Sequence, residues 1–367
     1  MGKMGKYIYG VINSNKEEFF DVGAIVISED VPTIENPVEV TQGSESRNVV
    51  YTIPFQDISA VVSDSEIVEY SRVPKNTLAW LLVSHQQVIE KVMARHTIIP
   101  VRLGTFANDD KEVAQILSKG YRTIKDIFER AKNCVEIDVV ATLGDFDSFL
   151  QDVSEQQEIR QLKDSLLTKK DGITTEDQIQ IGVLLKKCLD KRKGELANQI
   201  QTTLAETAGG FKAHDLMDEK MVLNMAFLLD QNRLEDFGRR VEYLNNKFEE
   251  KLDFRCVGPL PPYSFYTLEV RKMRFEEVDW ARRKLGIEDD FITASEIKKA
   301  HRRLALTCHP DKNPDILGIN RKFEDMTRAY KILLDYYRAS SQAEESEGFY
   351  LNDQAFEKNS ILVTTTR

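Results

Sequence analysis

The chain has 367 residues, with 60 acidic against 50 basic side chains and a formal charge of −10. That length holds two or three domains with separate cores, and so acidic a chain argues against nucleic acid as the main partner. No run reaches the roughly 20 apolar residues a membrane helix needs, the start Met1–Tyr7 lacks the apolar core of a secretion signal, and Cys134, Cys188, Cys256 and Cys308 lie scattered without a CxxC pair, as reduced thiols of a cytoplasm do.

Taken in chain order, Tyr7–Ile12 and Val22–Ile27 are short runs rich in β-branched and aromatic residues, and Val49–Val62 holds two more, interrupted at Pro54-Phe55. All read as strands. Helical spacing follows from Thr77 to Met93, where Leu78, Leu81, Leu82, Val88, Ile89 and Val92 largely face one way. Thr97–Leu103 returns as a strand, Lys111–Lys132 is an amphipathic helix, and Cys134–Ala141 is another strand. This alternation predicts an α+β domain over residues 1–145, a ferredoxin-like sheet covered by helices on one face.

Residues 146–215 are charged, poor in aromatics and free of proline, with helical spacing at Ile181, Leu184, Leu185, Cys188 and Leu189. They predict long paired helices turning at Asp171-Gly172 and closed by Gly209-Gly210. A second, smaller α+β unit follows over 216–272: strand Met221–Leu229, helix Asn232–Phe248, and strand Phe254–Val257 leading into Gly258-Pro-Leu-Pro-Pro-Tyr-Ser-Phe265. Three prolines and two aromatics make that last run stiff, suited to core packing or to a flat protein contact.

An all-α hairpin domain is predicted over 275–340. After a short helix over Arg282–Ile287 that ends near Gly286, Thr293 and Glu296 form a capping box at the start of the next helix. Ile297, Ala300, His301 and Leu304 share one face of it, and Lys298, Lys299, Arg302 and Arg303 the other. Pro310 ends this helix, since it supplies no N–H and disfavours helical backbone before it. A helix starting near Asn320 then sets Phe323, Met326, Tyr330 and Leu333 against the first as an antiparallel partner. The remaining residues 341–367 form a tail, disordered in its polar run up to Gly348 and regaining apolar residues at Ile361-Leu-Val363.

The most specific string lies between the two hairpin helices: His309-Pro310-Asp311. A cationic helix face is often only a solvated face, or meets phosphates, but acids and bases nearly balance across 275–339, without the basic excess of a phosphate-binding domain. A metal role does not fit. Asp311, Asn313 and Asp315 copy three calcium-loop ligand positions, yet Ile316 replaces the required Gly and Lys322 the final Glu, and Cys308 with His309 lacks two further zinc ligands at a workable spacing. In the body, His85, Arg95, His96 and Arg102 are the chemical candidates; structural or surface roles are expected of them. No nucleophile elbow, Walker loop or dinucleotide glycine set occurs. No cofactor is expected, and an enzyme reading would require His85, His96 and a carboxylate in one concave pocket.

Two resemblances emerge from these residues. Leu285-Gly-Ile287, the helix Ser295–Leu306, the His309-Pro310-Asp311 loop and Lys322-Phe323 through Ala329-Tyr330 to Leu333 resemble a J domain of the DnaJ class. The resemblance implies that His309, Pro310 and Asp311 contact a DnaK-type chaperone and stimulate its ATP hydrolysis, with Lys298, Lys299, Arg302 and Arg303 steering an acidic surface of that ATPase. His301 stands where Tyr is usual there, and Thr307-Cys308 where a basic residue and an aromatic are usual. Tyr7–Ile12, Ile58–Ser63, His85 with Val88–Val92, Ile98–Phe106, Asn224–Asp230 and Gly258–Phe265 resemble the GvpL/GvpF family of gas-vesicle proteins over residues 6–270, with Leu260 where Trp is frequent. That family implies a non-enzymatic accessory protein with a ferredoxin-like N-terminal domain, associated with the vesicle, its shell subunit and its accessory proteins.

Together these imply a cytoplasmic, gas-vesicle-associated protein whose body binds shell or accessory subunits and whose hairpin recruits a DnaK-type ATPase, with neither nucleic acid nor membrane as partner. The alternative is a structural minor component of the vesicle that uses its J-like domain only as a protein contact.

Overall fold

The apolar N-terminal run forms β1 (Met4–Ile12), the strand around which the first sheet is assembled. The structure, a computed structural model, describes residues 3–22, 49–68, 73–169, 173–249, 251–313, 318–341, 347–352, 355–356 and 359–365. Two units emerge, Met1–Lys132 with Tyr266–Arg367, and Asn133–Phe265.

In the first unit β1 is followed by β2 (Phe19–Phe20), β3 (Val50–Phe55), β4 (Ile58–Glu66), α1 (Lys75–Met93), β5 (Ile98–Pro100), β6 (Phe106–Ala107) and α2 (Asp110–Ala131). The antiparallel order is β2-β3-β4-β1-β5, with β6 also pairing β1. Apart from Val22, the strand expected at 22–27 lies outside the described residues. The hairpin between β3 and β4 turns at Gln56-Asp57, two residues beyond the expected break, because Pro54 pairs Ser59 inside the ladder. Beside Phe55↔Ile58, that pair is one that needs no bond from the Pro54 nitrogen.

Helices cover both faces of this sheet rather than one. Ile8, Ile58, Ala60 and Val62 form a core with Val113, Ile116, Leu117, Ile124 and Phe128 of α2. Tyr7 and Tyr9, on the opposite face, meet His85 of α1. Strands buried on both faces lose their polar alternation, which is why β1 and β4 read as nearly continuous apolar runs. Each fully buried large apolar side chain stabilises by about 1.5–3 kcal/mol.

The second unit contains β7 (Cys134–Leu143), α3 (Phe146–Ser154), α4 (Gln157–Leu167), α5 (Thr175–Ala205), β8 (Gly210–Ala213), β9 (Met221–Asp230), α6 (Leu234–Lys247), β10 (Leu252–Leu260) and the short α7 (Tyr263–Tyr266) at its exit. The order β10-β7-β9-β8 is wholly antiparallel. With helices between β7 and β8 and between β9 and β10, this is the full ferredoxin-like β-α-β-β-α-β connectivity. The α+β class stands, and this connectivity lies here rather than in the N-terminal sheet. β7 closes no strand pair with β1–β6, so the expected 1–145 domain ends at Lys132, and the segments read as 146–215 and 216–272 join β7 in one unit up to Phe265. One face carries the helices: Phe227, opposite Ile137, meets Phe237 of α6 at 5.4 Å. The predicted helices of 146–211 are α3–α5, with Val153, Ile159 and Cys188 in their shared core; the turn read at Asp171-Gly172 lies outside the described residues.

The chain then forms β11 (Leu268–Lys272), α8 (Phe275–Leu285), β12 (Phe291–Thr293), α9 (Ala294–Cys308), α10 (Ile319–Ser341), β13 (Gly348–Tyr350) and β14 (Ile361–Thr365). α8 begins earlier than the expected Arg282 and closes on Gly286, whose φ of 64° suits glycine. Val278, Ile297, Ala300, Met326, Leu333 and Tyr336 form the hairpin core. Where the tail past residue 346 is described, it is partly ordered: β13 pairs β12, and β14 pairs β11.

Candidate functional site

The hairpin corner is built from its first helix. Thr293 accepts from the Glu296 amide at 3.2 Å, and the Glu296 carboxylate accepts from the Thr293 amide at 2.8 Å, so α9 starts with a reciprocal cap. Ile297 and Ala300 are buried, while Lys298, Lys299, Arg302 and Arg303 are all exposed. The four cations form one band on the side away from α10, and none has a carboxylate within ion-pair distance among the described residues.

At the far end His309 leaves the helix in extended backbone (φ −66°, ψ 128°), and Pro310–Lys312 form a single 3-10 turn. Breaking a helix leaves carbonyls without partners. Asn313 supplies them: its Nδ2 donates to the carbonyls of Thr307 at 3.0 Å and His309 at 3.1 Å. His309 Nδ1 accepts from the Asp311 amide at 3.2 Å, which places the proton of the neutral ring on Nε2. The ring stands edge-on to Phe323 of α10, centroids 5.3 Å apart. The His309 side chain is 43% exposed and that of Asp311 88%. The corner therefore presents an imidazole and a carboxylate to solvent, on a turn held by both helices and next to the cationic band.

The unusual positions are absorbed by packing. His301 stacks on Tyr330 at 4.1 Å and 21°, its burial lowers its pKa, and its buried Nε2 has no hydrogen-bond partner among the described residues. The Thr307 hydroxyl donates to the Leu304 carbonyl at 3.0 Å, and Cys308 is buried. An ion pair between Lys284 and Asp325, 2.9 Å, ties α8 to α10.

The candidates in the body take separate partners. The Tyr7 hydroxyl lies in hydrogen-bond contact with His85 Nδ1 at 2.8 Å, Tyr9 stacks on the same ring, and burial pushes the imidazole down to about 4. His96 Nε2 lies 3.0 Å from Glu18, and Arg102 lies 2.9 Å from Glu269, while Arg95 is exposed. His85 and His96 thus do not meet over a shared carboxylate. Among the described residues no group of three or more His, Cys, Asp or Glu is placed to hold a metal, and no helix is long and apolar enough to cross a membrane.

One polar cluster had no signal in local spacing. Glu136, on the face of β7 opposite α6, is buried and accepts from the Ser264 amide at 2.8 Å and hydroxyl at 2.7 Å. Burial, together with neighbouring Asp138, pushes its carboxyl up to about 7, against the lowering effect of the Ser264 bonds. His214 Nε2 lies 3.2 Å from the same Ser264 hydroxyl. These contacts hold the proline-rich run, whose Leu260, Pro261 and Pro262 are buried while Gly258 and Pro259 are exposed. By strand alternation Glu136 falls with Asp138 on the polar side of β7, so nothing local marked it as buried; its partner is 128 residues away.

Comparison with known proteins follows these two regions. Residues 5–267 match the family described as Gas vesicle synthesis protein GvpL/GvpF, and residues 283–340 match the DnaJ domain. The chain is 27% identical over 234 residues to gas vesicle protein F of Nostoc sp. (strain PCC 7120), covering 62% of this chain and 92% of that one. It is 25% identical over 239 residues to gas vesicle protein L of Haloferax mediterranei, covering 59% and 70%. The crystal structure of GvpF from Anabaena sp. PCC7120 matches at a TM-score of 0.56 and 24% identity, over 71% of this chain and 97% of that one, a likeness of fold.

Proposed function

The chain belongs to the GvpL/GvpF family of gas vesicle synthesis proteins and carries a DnaJ domain at residues 283–340, and from that premise we propose that it is a non-enzymatic accessory protein that brings a DnaK-type chaperone to gas-vesicle subunits in the cytoplasm. The body, residues 5–267, binds the shell protein or accessory subunits. The hairpin engages the ATPase through His309, Pro310 and Asp311, with Lys298, Lys299, Arg302 and Arg303 steering its acidic surface. A protein that walls off gas must expose apolar surface before assembly, and such surface aggregates when unshielded. Holding client and chaperone sites on one chain raises the effective concentration of the second contact.

The observation that carries this reading is the His309 corner: an exposed imidazole and carboxylate on a turn fixed by Asn313, beside four cations without carboxylate partners among the described residues. The test compares ATP hydrolysis by a DnaK-type ATPase with the intact protein and with His309→Gln. Stimulation by the first and not the second is expected; equal rates would remove the recruiting role. A pull-down from vesicle-forming cells that recovers no vesicle protein would count against the client.

A second reading is favoured by His301 and Thr307-Cys308, which replace residues usual at those places: a structural adaptor of the vesicle whose hairpin serves only as a contact. It predicts vesicle association that is indifferent to His309→Gln.

A further inference from the structure

We propose that the C-terminal strand β14 is a brace that locks the hairpin domain onto the N-terminal sheet, so that the His309 corner rides at a set position on that sheet instead of on a free tether. The proposal concerns the geometry of the site just described, and its test does not need the chaperone reading to hold.

The argument starts from strand periodicity. Successive residues of a strand point to opposite sides, and β14 uses both. Ile361 and Val363 belong to the core of the N-terminal sheet with Ile116, Leu117 and Leu268, whereas Leu362 between them belongs to the hairpin core with Met273 and Tyr336. Three consecutive side chains therefore enter two cores. The backbone adds five paired positions, Leu268↔Thr365 through Lys272↔Ile361, and β11 is itself fastened to the first sheet by a parallel bridge between Leu268 and Val101 and by the Arg102 amide donating to the Leu268 carbonyl at 2.9 Å.

Polar contacts run the same way. Lys272 pairs with Glu112 of α2 at 2.7 Å, Lys119 of α2 donates to Asn359 at 2.9 Å, and Arg271 pairs with Asp335 of α10. One β11 residue is thus ion-paired to the sheet's covering helix and its neighbour to the hairpin.

Gly120 is the position that admits the strand. It lies inside α2, where glycine is the poorest helix former after proline, yet a Cβ there would stand 2.8 Å from Val363 Cγ1 and 3.1 Å from its Cβ. Both atoms belong to a short branched side chain that is fully buried and has no room to swing away. A helix that keeps glycine at this point gains the close approach of β14.

The experiment uses the full chain. Hydrogen exchange is read over residues 268–272 and 361–365, and spin labels at Glu129→Cys on α2 and Lys312→Cys at the corner report the distance between sheet and hairpin, in a Cys256→Ser background. The parent should protect both strands as a set and give one narrow distance distribution. Gly120→Val should release both strands to loop-like exchange, leave 4–12 and 58–66 protected, and broaden the distribution. Val363→Asp, which alters only the strand, should do the same if Gly120→Val fails to fold. A broad distribution in the parent, or a narrow one after the strands have been released, overturns the brace. Loss of ATPase stimulation by the parent would instead strike the proposed function and leave these two readouts standing.

Discussion

Asn313 reaches back four residues to donate its side-chain amide to the His309 carbonyl at 3.1 Å, closing from one side the corner that Pro310 opens from the other. The same amide also serves Thr307, so one residue bonds two carbonyls at the end of α9, that of His309 also accepting from the Lys312 amide at 3.1 Å.

Asn313→Ala should therefore loosen the corner without unfolding the hairpin. Two hydrogen bonds of about 1 kcal/mol each are lost, part of it recovered from water at this partly exposed site. Amide exchange over 307–313 should accelerate while Ile297 and Leu333 stay protected, and stimulation of the ATPase should fall severalfold. Unchanged exchange would mean that proline alone sets the turn.

The cationic band makes a separable expectation. Reversing Lys298 and Arg302 together to Glu should weaken association with a DnaK-type ATPase by about tenfold or more at low salt, mainly through the on-rate, with stability changed by less than about 0.5 kcal/mol because both positions are exposed. The difference should shrink as ionic strength rises. Binding kinetics measured at two salt concentrations decide it.

His85 should govern acid sensitivity of the first unit. Its folded pKa, about 4, lies below the ordinary histidine value of 6.5 because burial penalises the charged ring. The unfolded chain takes up the proton first, so the stabilisation is complete above pH 6.5 and is lost as pH falls towards 4, about 3 kcal/mol in all. His85→Gln, which keeps a hydrogen-bonding group for Tyr7, should flatten that limb in chemical denaturation at pH 7 and pH 5.

Glu136 carries the opposite sign in the second unit. Its folded pKa is raised to about 7 from 4.5 by burial, and burial also raises Asp138 beside it. Protonated Glu136 is the form the fold prefers, so its contribution is present below about 4.5 and is lost as pH climbs through 7. Melting of the Asn133–Phe265 unit should drop by a few degrees from pH 5 to pH 8, and Glu136→Gln should remove most of the drop. A melting point that rises over this interval would contradict the assignment.

The parts legible in the sequence were those whose cause is local. Thr293 with Glu296, Pro310, and the spacing of Ile297, Ala300 and Leu304 act within a few residues, and α9 lies where they place it. The bounds of α2 and β9 were readable for the same reason, from a 3.6 period and a long β-prone run. Glu136 was not: a buried acid is tolerable only once a donor is found, and Ser264 arrives from 128 residues away. His301 was placed on the apolar face, but its stacking on Tyr330 depends on how α9 and α10 cross.

The sequence by itself determined the long helices and strands such as α2, α9 and β9, where the hairpin breaks, and that the cations of α9 stay in water, since propensity, capping and periodicity operate over one or two turns of chain. Tertiary structure decided which sheet β7 joins and that β14 crosses back to pair with β11. A strand's backbone offers the same ladder of bonds to any neighbour, so its partner is selected by the distant side chains that bury its faces. For β14 those are Leu268 and Ile116 on one side and the hairpin core on the other.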